Sequence, residues 1–113
     1  MTRELLEAEI LNDWPTPNTY DPKFKEPPKT AGVYVIYAKR IGVGIEHLIT
    51  GKDECVYVGS SKNLFERYDK HPVRNKKGFV CYVFYWLEEP NYSEVEKTMI
   101  KILRPALNKQ HNG

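Results

Sequence analysis

The sequence predicts a small α+β fold, in which a central, mainly antiparallel sheet of three strands is flanked by helices. Three short runs rich in β-branched and aromatic residues predict the strands, and two later segments predict helices, giving the order β-β-α-β-α. An extra helix and an arm precede them. At 113 residues, with 41% apolar and 28% charged residues, the chain is an ordinary globular domain with one core.

The N-terminal helix and its proline-rich arm, residues 1–30, precede the main domain at 31–113. The start of the chain places Leu6 and Ile10 on one helical face. Five of the eight prolines fall between residues 13 and 30, which predicts an extended connection and excludes a helix or a central strand there.

The three predicted strands occupy residues 32–38, 54–59 and 79–87. The third run, "FVCYVFYWL", is apolar on both faces, so it is predicted to be the central strand. The first helix of the main domain is predicted from 62 to 70, because Pro72 prevents its continuation.

The second helix of this domain is predicted to begin near Ser93 and to end before Pro105. Its Glu96 lies at the edge of an apolar stripe and therefore faces the protein rather than open water. Two interpretations remain open for Glu96. It forms a capping box with Ser93 at the helix start, or it is a carboxylate held near the sheet to bind a divalent cation. The stripe comprises Val95, Met99, Ile102 and Leu103, with Ile100 at its flank.

Positive charge is concentrated in residues 62–77, which carry six basic and two acidic residues although the whole chain has a net charge of only +2. Such a segment attracts phosphate backbones, or it is simply a solvated helix face followed by a lysine-rich turn. Within it, Asn63, Arg67 and His71 recur at intervals of four residues and so share one face of the predicted helix. For Asn63 the favoured role is to cap that helix.

The two cysteines, Cys55 and Cys81, lie in predicted strands and are expected to be buried thiols. They supply neither a disulfide framework nor a metal-ligand pattern, and we expect a cytoplasmic protein. The longest apolar run has nine residues, far fewer than the roughly 20 needed to span a bilayer, and the acidic start does not resemble a signal peptide. No membrane association is expected.

Several short motifs occur in a fixed order along the chain. They are "GVY" at 32–34, "YVG" at 57–59, Arg67 ten residues after Tyr57, Glu96 on the next helix, and "PALN" at 105–108. Each is weak alone, but the ordered set closely resembles the GIY-YIG nucleases. The resemblance implies a DNA endonuclease that hydrolyses phosphodiester bonds with one metal ion, Mg²⁺ or Mn²⁺, and leaves 5′-phosphate and 3′-hydroxyl ends.

The resemblance also implies roles for six catalytic residues. Arg67 would fork hydrogen bonds onto the scissile phosphate, and Glu96 would bind the metal. Asn108 would hydrogen-bond within the site and fix Glu96 or Tyr34. The six residues are Tyr34, Tyr57, Arg67, His71, Glu96 and Asn108.

The identity of the general base stays open between Tyr57 and His71. The resemblance indicates the second motif tyrosine, Tyr57, but a phenol with a pKa of about 10 is a weak base at neutral pH unless nearby cations lower it. His71 could accept the proton from Tyr57 or act as the base itself, because imidazole titrates near neutral pH. Tyr34 is expected to orient the water or the phosphate.

The chain departs from the family pattern at two places. Residues 39–53 form a longer connection than in the shortest members, and this connection could contact DNA. Ser60 stands where repair-type members often have lysine, and Lys62 could supply that charge. The residues expected to bind the DNA backbone are Lys62, Arg74, Lys76 and Lys77.

The sequence shows no zinc finger, helix-turn-helix or long basic tail, so specificity would come from the insertion, the arm, a homodimer or a targeting partner. The alternatives are a nuclease subunit targeted by another protein, a weakly active or inactive DNA-binding module, and a structural domain with coincidental motifs. An inactive module would be expected to lack Arg67 or Glu96, and neither is missing.

Overall fold

The computed structural model describes residues 2–16, 26–41, 49–71 and 78–108. The chain forms a three-stranded antiparallel sheet and three helices, which confirms the predicted α+β class and element order. The elements are α1 (Arg3–Asp13), β1 (Gly32–Ile41), β2 (Ile49–Ser61), α2 (Leu64–Lys70), β3 (Phe79–Glu88) and α3 (Tyr92–Leu103). No helix among these residues is long and apolar enough to cross a membrane.

The central strand is β1, because the strands lie in the order β2-β1-β3. The prediction that the 79–87 run is central was wrong. Residues 33–38 of β1 are all buried, whereas most of β3 is half-buried. An apolar run on both faces shows that both faces of a strand are covered, but it does not distinguish a central strand from an edge strand with large aromatic side chains.

Segments outside the strands pair with both edges of this sheet. On the β3 side, the Trp86 amide donates to the Pro15 carbonyl at 3.0 Å and the Thr16 hydroxyl donates to the Phe84 carbonyl at 2.7 Å. On the β2 side, the Leu107 amide donates to the Val56 carbonyl at 2.9 Å. These contacts satisfy backbone groups that an uncovered edge would offer to another chain.

The two faces of the sheet carry separate apolar clusters. The helices α1 and α3 cover one face, and the predicted inward residues Leu6 and Ile10 of α1 are buried there. From α3, the buried residues are Met99, Ile100 and Leu103. The short helix α2 covers the other face through Leu64, which packs in a cluster with Tyr34 and Phe84.

A β-bulge in β2 alters which side chains face α2. The register shifts from Ile36 opposite Tyr57 to Tyr37 opposite Cys55, so Val56 is an extra residue in β2. Val56 and Tyr57 consequently both contact the cluster beneath α2, although they are consecutive in sequence. Tyr57 faces the same side as Tyr34 because the regular register before the bulge places it opposite Ile36. The bulge adds Val56 to that face.

The cysteines differ from each other, contrary to the prediction that both are buried. Cys55 is buried between the sheet and α1, but Cys81 is exposed. A second register shift leaves Cys81 and Tyr82 opposite Ala38, and Cys81 has a positive φ of 59°. This bulge turns its side chain away from the core.

Helix ends follow local chemistry. Asn63 caps α2 as predicted, because its side-chain oxygen accepts from the Glu66 amide at 3.0 Å, and the helix ends at Lys70 with His71 as its C-cap. The connection predicted at 39–53 extends the hairpin at both ends, as β1 continues to Ile41 and β2 starts at Ile49.

Candidate active site

Two motif tyrosines meet on the α2 face of the sheet. Tyr34 of β1 and Tyr57 of β2 lie with their ring centroids 6.0 Å apart and their planes within 9° of parallel. The nearby Tyr57 side chain also raises the pKa of Tyr34. Tyr34 is almost completely buried, and Tyr57 is half-buried. The pair therefore presents one enclosed phenol beside one more accessible phenol.

Gly59 makes room for the Tyr34 ring. It lies opposite Tyr34 in the register between β1 and β2, and a Cβ atom at this position would collide with the Tyr34 ring and hydroxyl. The second glycine of the motif set is thus required for the close approach of an aromatic side chain to the backbone.

We expect Gly59→Ala to destabilise the protein by about 1–3 kcal/mol, the usual cost of overpacking a core. Urea denaturation measures this loss. The matched control is the same substitution in a Tyr34→Ala background, where the ring that causes the collision is absent. There the added methyl group should cost much less, and an equal cost in both backgrounds would contradict this role of Gly59.

His71 completes the cluster. It is 6% exposed, its Nε2 atom lies 3.1 Å from the Tyr34 hydroxyl, and its ring centroid lies 4.6 Å from that of Tyr57. It reaches this position because α2 ends at Lys70 and the C-cap residue turns back toward the sheet. The predicted proximity of His71 to the tyrosines is therefore present, and its hydrogen bond is to Tyr34.

The surroundings of Tyr34 change the pKa of its hydroxyl group. Burial raises the pKa of the Tyr34 hydroxyl above the ordinary value of about 10, and the neighbouring Tyr57 and Glu96 raise it further, while Arg67 lowers it. Tyr34 therefore stays protonated at neutral pH. It can donate or relay a hydrogen bond, as expected for an orienting residue, but it is not a base.

Arg67 lies on the exposed side of α2, one turn before His71. Its guanidinium lines an open hollow of about 330 Å³ together with Lys62, Lys70 and one acidic side chain, Glu66. Three cations against one carboxylate make this hollow electropositive. Of the residues predicted to bind DNA, Lys62 lies here, while Arg74, Lys76 and Lys77 lie outside the described residues.

Glu96 contacts the end of β2. The Ser60 hydroxyl donates to Glu96 Oε1 at 2.5 Å. The N-cap of α3 is Asn91, and Ser93 lies inside the helix, so the capping-box interpretation was wrong. Glu96 is half-buried. Its negative charge raises the pKa of Tyr34, whereas the positive charge of Arg67 lowers it.

Asn108 has a different partner from the predicted one. Its side-chain oxygen accepts from the Val58 amide at 2.8 Å, and its side-chain nitrogen donates to the Val58 carbonyl at 2.6 Å. The prediction was a hydrogen bond to Glu96 or Tyr34. Asn108 instead fixes the backbone of β2 between Tyr57 and Gly59, and it is 1% exposed.

Sequence reasoning missed the part that Ser60 takes in this cluster. Ser60 was considered only as a replacement for a lysine, although its position in the strand indicates which face of the sheet it occupies. Side chains alternate along a strand, so a residue next to Gly59 must face the α3 side of the sheet. A hydroxyl there lies within reach of the helix that carries Glu96.

The possible metal ligands around Glu96 suit only a cation that needs few protein ligands. Among the described residues, no group of three or more His, Cys, Asp or Glu side chains is arranged to hold a metal ion. In the described part of the chain, Glu96 is the one carboxylate whose charge is seen to act on Tyr34. Mg²⁺ retains several waters and binds through one or two carboxylates plus substrate phosphates, so one half-buried carboxylate is compatible with it.

Comparisons with models of protein families, with curated proteins and with solved structures give no match to this chain. The functional interpretation therefore depends on the residues themselves and on their arrangement.

Proposed function

We propose that this protein is a DNA endonuclease that hydrolyses phosphodiester bonds by a single-metal mechanism of the GIY-YIG type. One observation carries the proposal: Tyr34 stacks on Tyr57, its hydroxyl hydrogen-bonds to His71, and its pKa responds to both Arg67 and Glu96. Four further side chains thus influence Tyr34, with Tyr57, His71 and Arg67 on the α2 side of the sheet and Glu96 on the α3 side. The three-stranded antiparallel sheet with helices on both faces is also the architecture that the resemblance implies.

Arg67 is proposed to bind the scissile phosphate. A guanidinium is planar and donates two parallel hydrogen bonds to phosphate oxygens, so it stabilises the charge that develops in the transition state. Its exposed position beside the tyrosines allows a DNA strand to reach it. The neighbouring cations Lys62 and Lys70 would hold the adjacent phosphates of that strand.

Tyr57 and His71 share the proposed task of removing the proton from the attacking water. Tyr57 is the more accessible phenol, and the imidazole of His71 lies against its ring. The protonated Tyr34 stacks on Tyr57 and hydrogen-bonds to His71, so it would orient the water or pass a proton to His71. Both candidates for the general base remain in this proposal.

Glu96 is the proposed ligand of Mg²⁺ or Mn²⁺. When bound, such an ion acts as a Lewis acid toward the leaving 3′ oxygen. The chain supplies an oriented carboxylate for it, since Ser60 donates a hydrogen bond to Glu96 Oε1. Asn108 contributes indirectly, because it holds the strand segment from which Tyr57 projects.

The test is incubation of the protein with supercoiled plasmid and Mg²⁺ or Mn²⁺, with EDTA in a parallel reaction. We expect metal-dependent nicked or linear DNA whose ends carry 5′-phosphate and 3′-hydroxyl groups. Ligation of the products and sequencing of the ends measure both properties. Binding of DNA without cleavage in either metal would instead support the inactive binding module.

A further inference from the structure

We propose that Ser60 is a positioning residue for the Glu96 carboxylate and that its hydroxyl sets the affinity of this carboxylate for a divalent cation. The inference rests on the proposed function, because it assigns Ser60 a part in the metal site of the nuclease. It concerns a residue at which the chain departs from the family pattern and to which the resemblance assigns no part in metal binding.

The contact joins two well-ordered elements. Ser60 lies in β2 opposite Val33 of the central strand, and two residues earlier the Asn108 amide holds the Val58 backbone. Glu96 lies inside α3, whose buried residues pack on the same side of the sheet. Both ends of the 2.5 Å hydrogen bond are thus fixed by regular secondary structure and by packing.

A glutamate side chain has several rotatable bonds, and a lone glutamate ligand loses that freedom when it binds a cation. The Ser60 hydroxyl restricts the carboxylate before the cation arrives, so less freedom is lost on binding. In metal sites generally, removal of a group that hydrogen-bonds to a ligand costs about 10–100-fold in affinity or activity. The proposed site draws one carboxylate from the described residues, so no second proposed ligand compensates for this loss.

A purely structural role would give different behaviour. If the hydrogen bond only attached α3 to the sheet, its loss would lower stability and leave cation affinity unchanged. Metal affinity and thermal stability must therefore be measured on the same variants.

The experiment titrates Mn²⁺ into ¹⁵N-labelled protein and follows the paramagnetic broadening of the Glu96 and Lys97 amide signals, which reports binding at this site even when it is weak. We expect Ser60→Ala to raise the apparent Kd for Mn²⁺ by about 10–100-fold. Ser60→Thr retains a hydroxyl at a strand position that suits β-branched residues, so its affinity should stay close to that of the wild type.

Two further variants serve as controls. Ser60→Val has the shape of Ser60→Thr without the hydroxyl, so this pair isolates the hydrogen bond if Ser60→Ala folds poorly. Ser93→Ala removes an exposed hydroxyl one turn before Glu96, on the same helix, and should leave the Kd unchanged.

Equal Mn²⁺ affinity in Ser60→Thr and Ser60→Val, or no site-specific broadening in the wild type, would overturn the assignment of Ser60. The plasmid assay tests the proposed endonuclease activity separately from the role of Ser60. If Ser60→Ala cleaved DNA as fast as the wild type at a metal concentration that half-saturates the wild type, only the role of Ser60 would be overturned. Hydroxyl-dependent Mn²⁺ binding without any DNA cleavage would overturn only the endonuclease.

Discussion

Glu96→Gln is expected to abolish DNA cleavage while DNA binding is largely retained. A bound metal ion contributes several kcal/mol of transition-state stabilisation, and each 1.36 kcal/mol changes a rate tenfold, so we expect a loss of about 1,000-fold or more. The glutamine amide oxygen can still accept from the Ser60 hydroxyl that now contacts Oε1. The variant therefore loses the charge without losing the local contact.

Single-turnover cleavage of plasmid in Mg²⁺ and a DNA-binding titration in EDTA measure the two effects. The matched control is Glu94→Gln, which changes an exposed glutamate on the same helix and should cleave normally. Full metal-dependent cleavage by Glu96→Gln would show that the metal site has been assigned to the wrong residue.

Arg67→Ala is expected to lower the cleavage rate by about 10²–10³-fold, the range typical for loss of one donor to a developing oxyanion. Arg67→Lys should recover only part of this loss, because an ammonium group keeps the charge but cannot form the paired hydrogen bonds of a guanidinium. The exposed position of Arg67 on α2 means that neither change disturbs the core.

The salt dependence of DNA affinity provides a second measurement for Arg67. Loss of one phosphate contact should reduce the slope of log K against log salt by about 0.9 on duplex DNA. Arg3→Ala is the control, since it removes an exposed guanidinium from α1, where Arg3 pairs with Glu7. If both variants cleaved and bound alike, Arg67 would have no special part in the reaction.

The main features of the fold follow from local patterns. The three runs of β-branched and aromatic residues form the strands, and Asn63 caps the start of α2 because capping acts within one turn. The helix ends at Lys70, as the sequence predicted. The order of the strands in the sheet could not be predicted from local patterns. The apolar character of residues 79–87 indicated coverage of both faces, and the edge position of β3 depends on pairing with residues far away in the chain.

In the candidate site too, some features followed from the sequence and others only from the structure. The chain's ordered motifs identified Tyr34, Tyr57 and Arg67 as a group, and the structure brings the first two into contact. The partners of the other residues could not be read from spacing. Glu96 contacts Ser60 across 36 residues, and Asn108 contacts Val58 across 50.

By itself, the amino-acid sequence determined the α+β class, the element order and the residue types available for phosphate chemistry, because propensity, capping and periodicity act over a few residues. Only the tertiary structure decided that β1 is central, that the register between β1 and β2 places Tyr57 on the face of Tyr34, and that Ser60 holds Glu96. The reason is physical: register and side-chain partners are set by packing between segments that are distant in sequence.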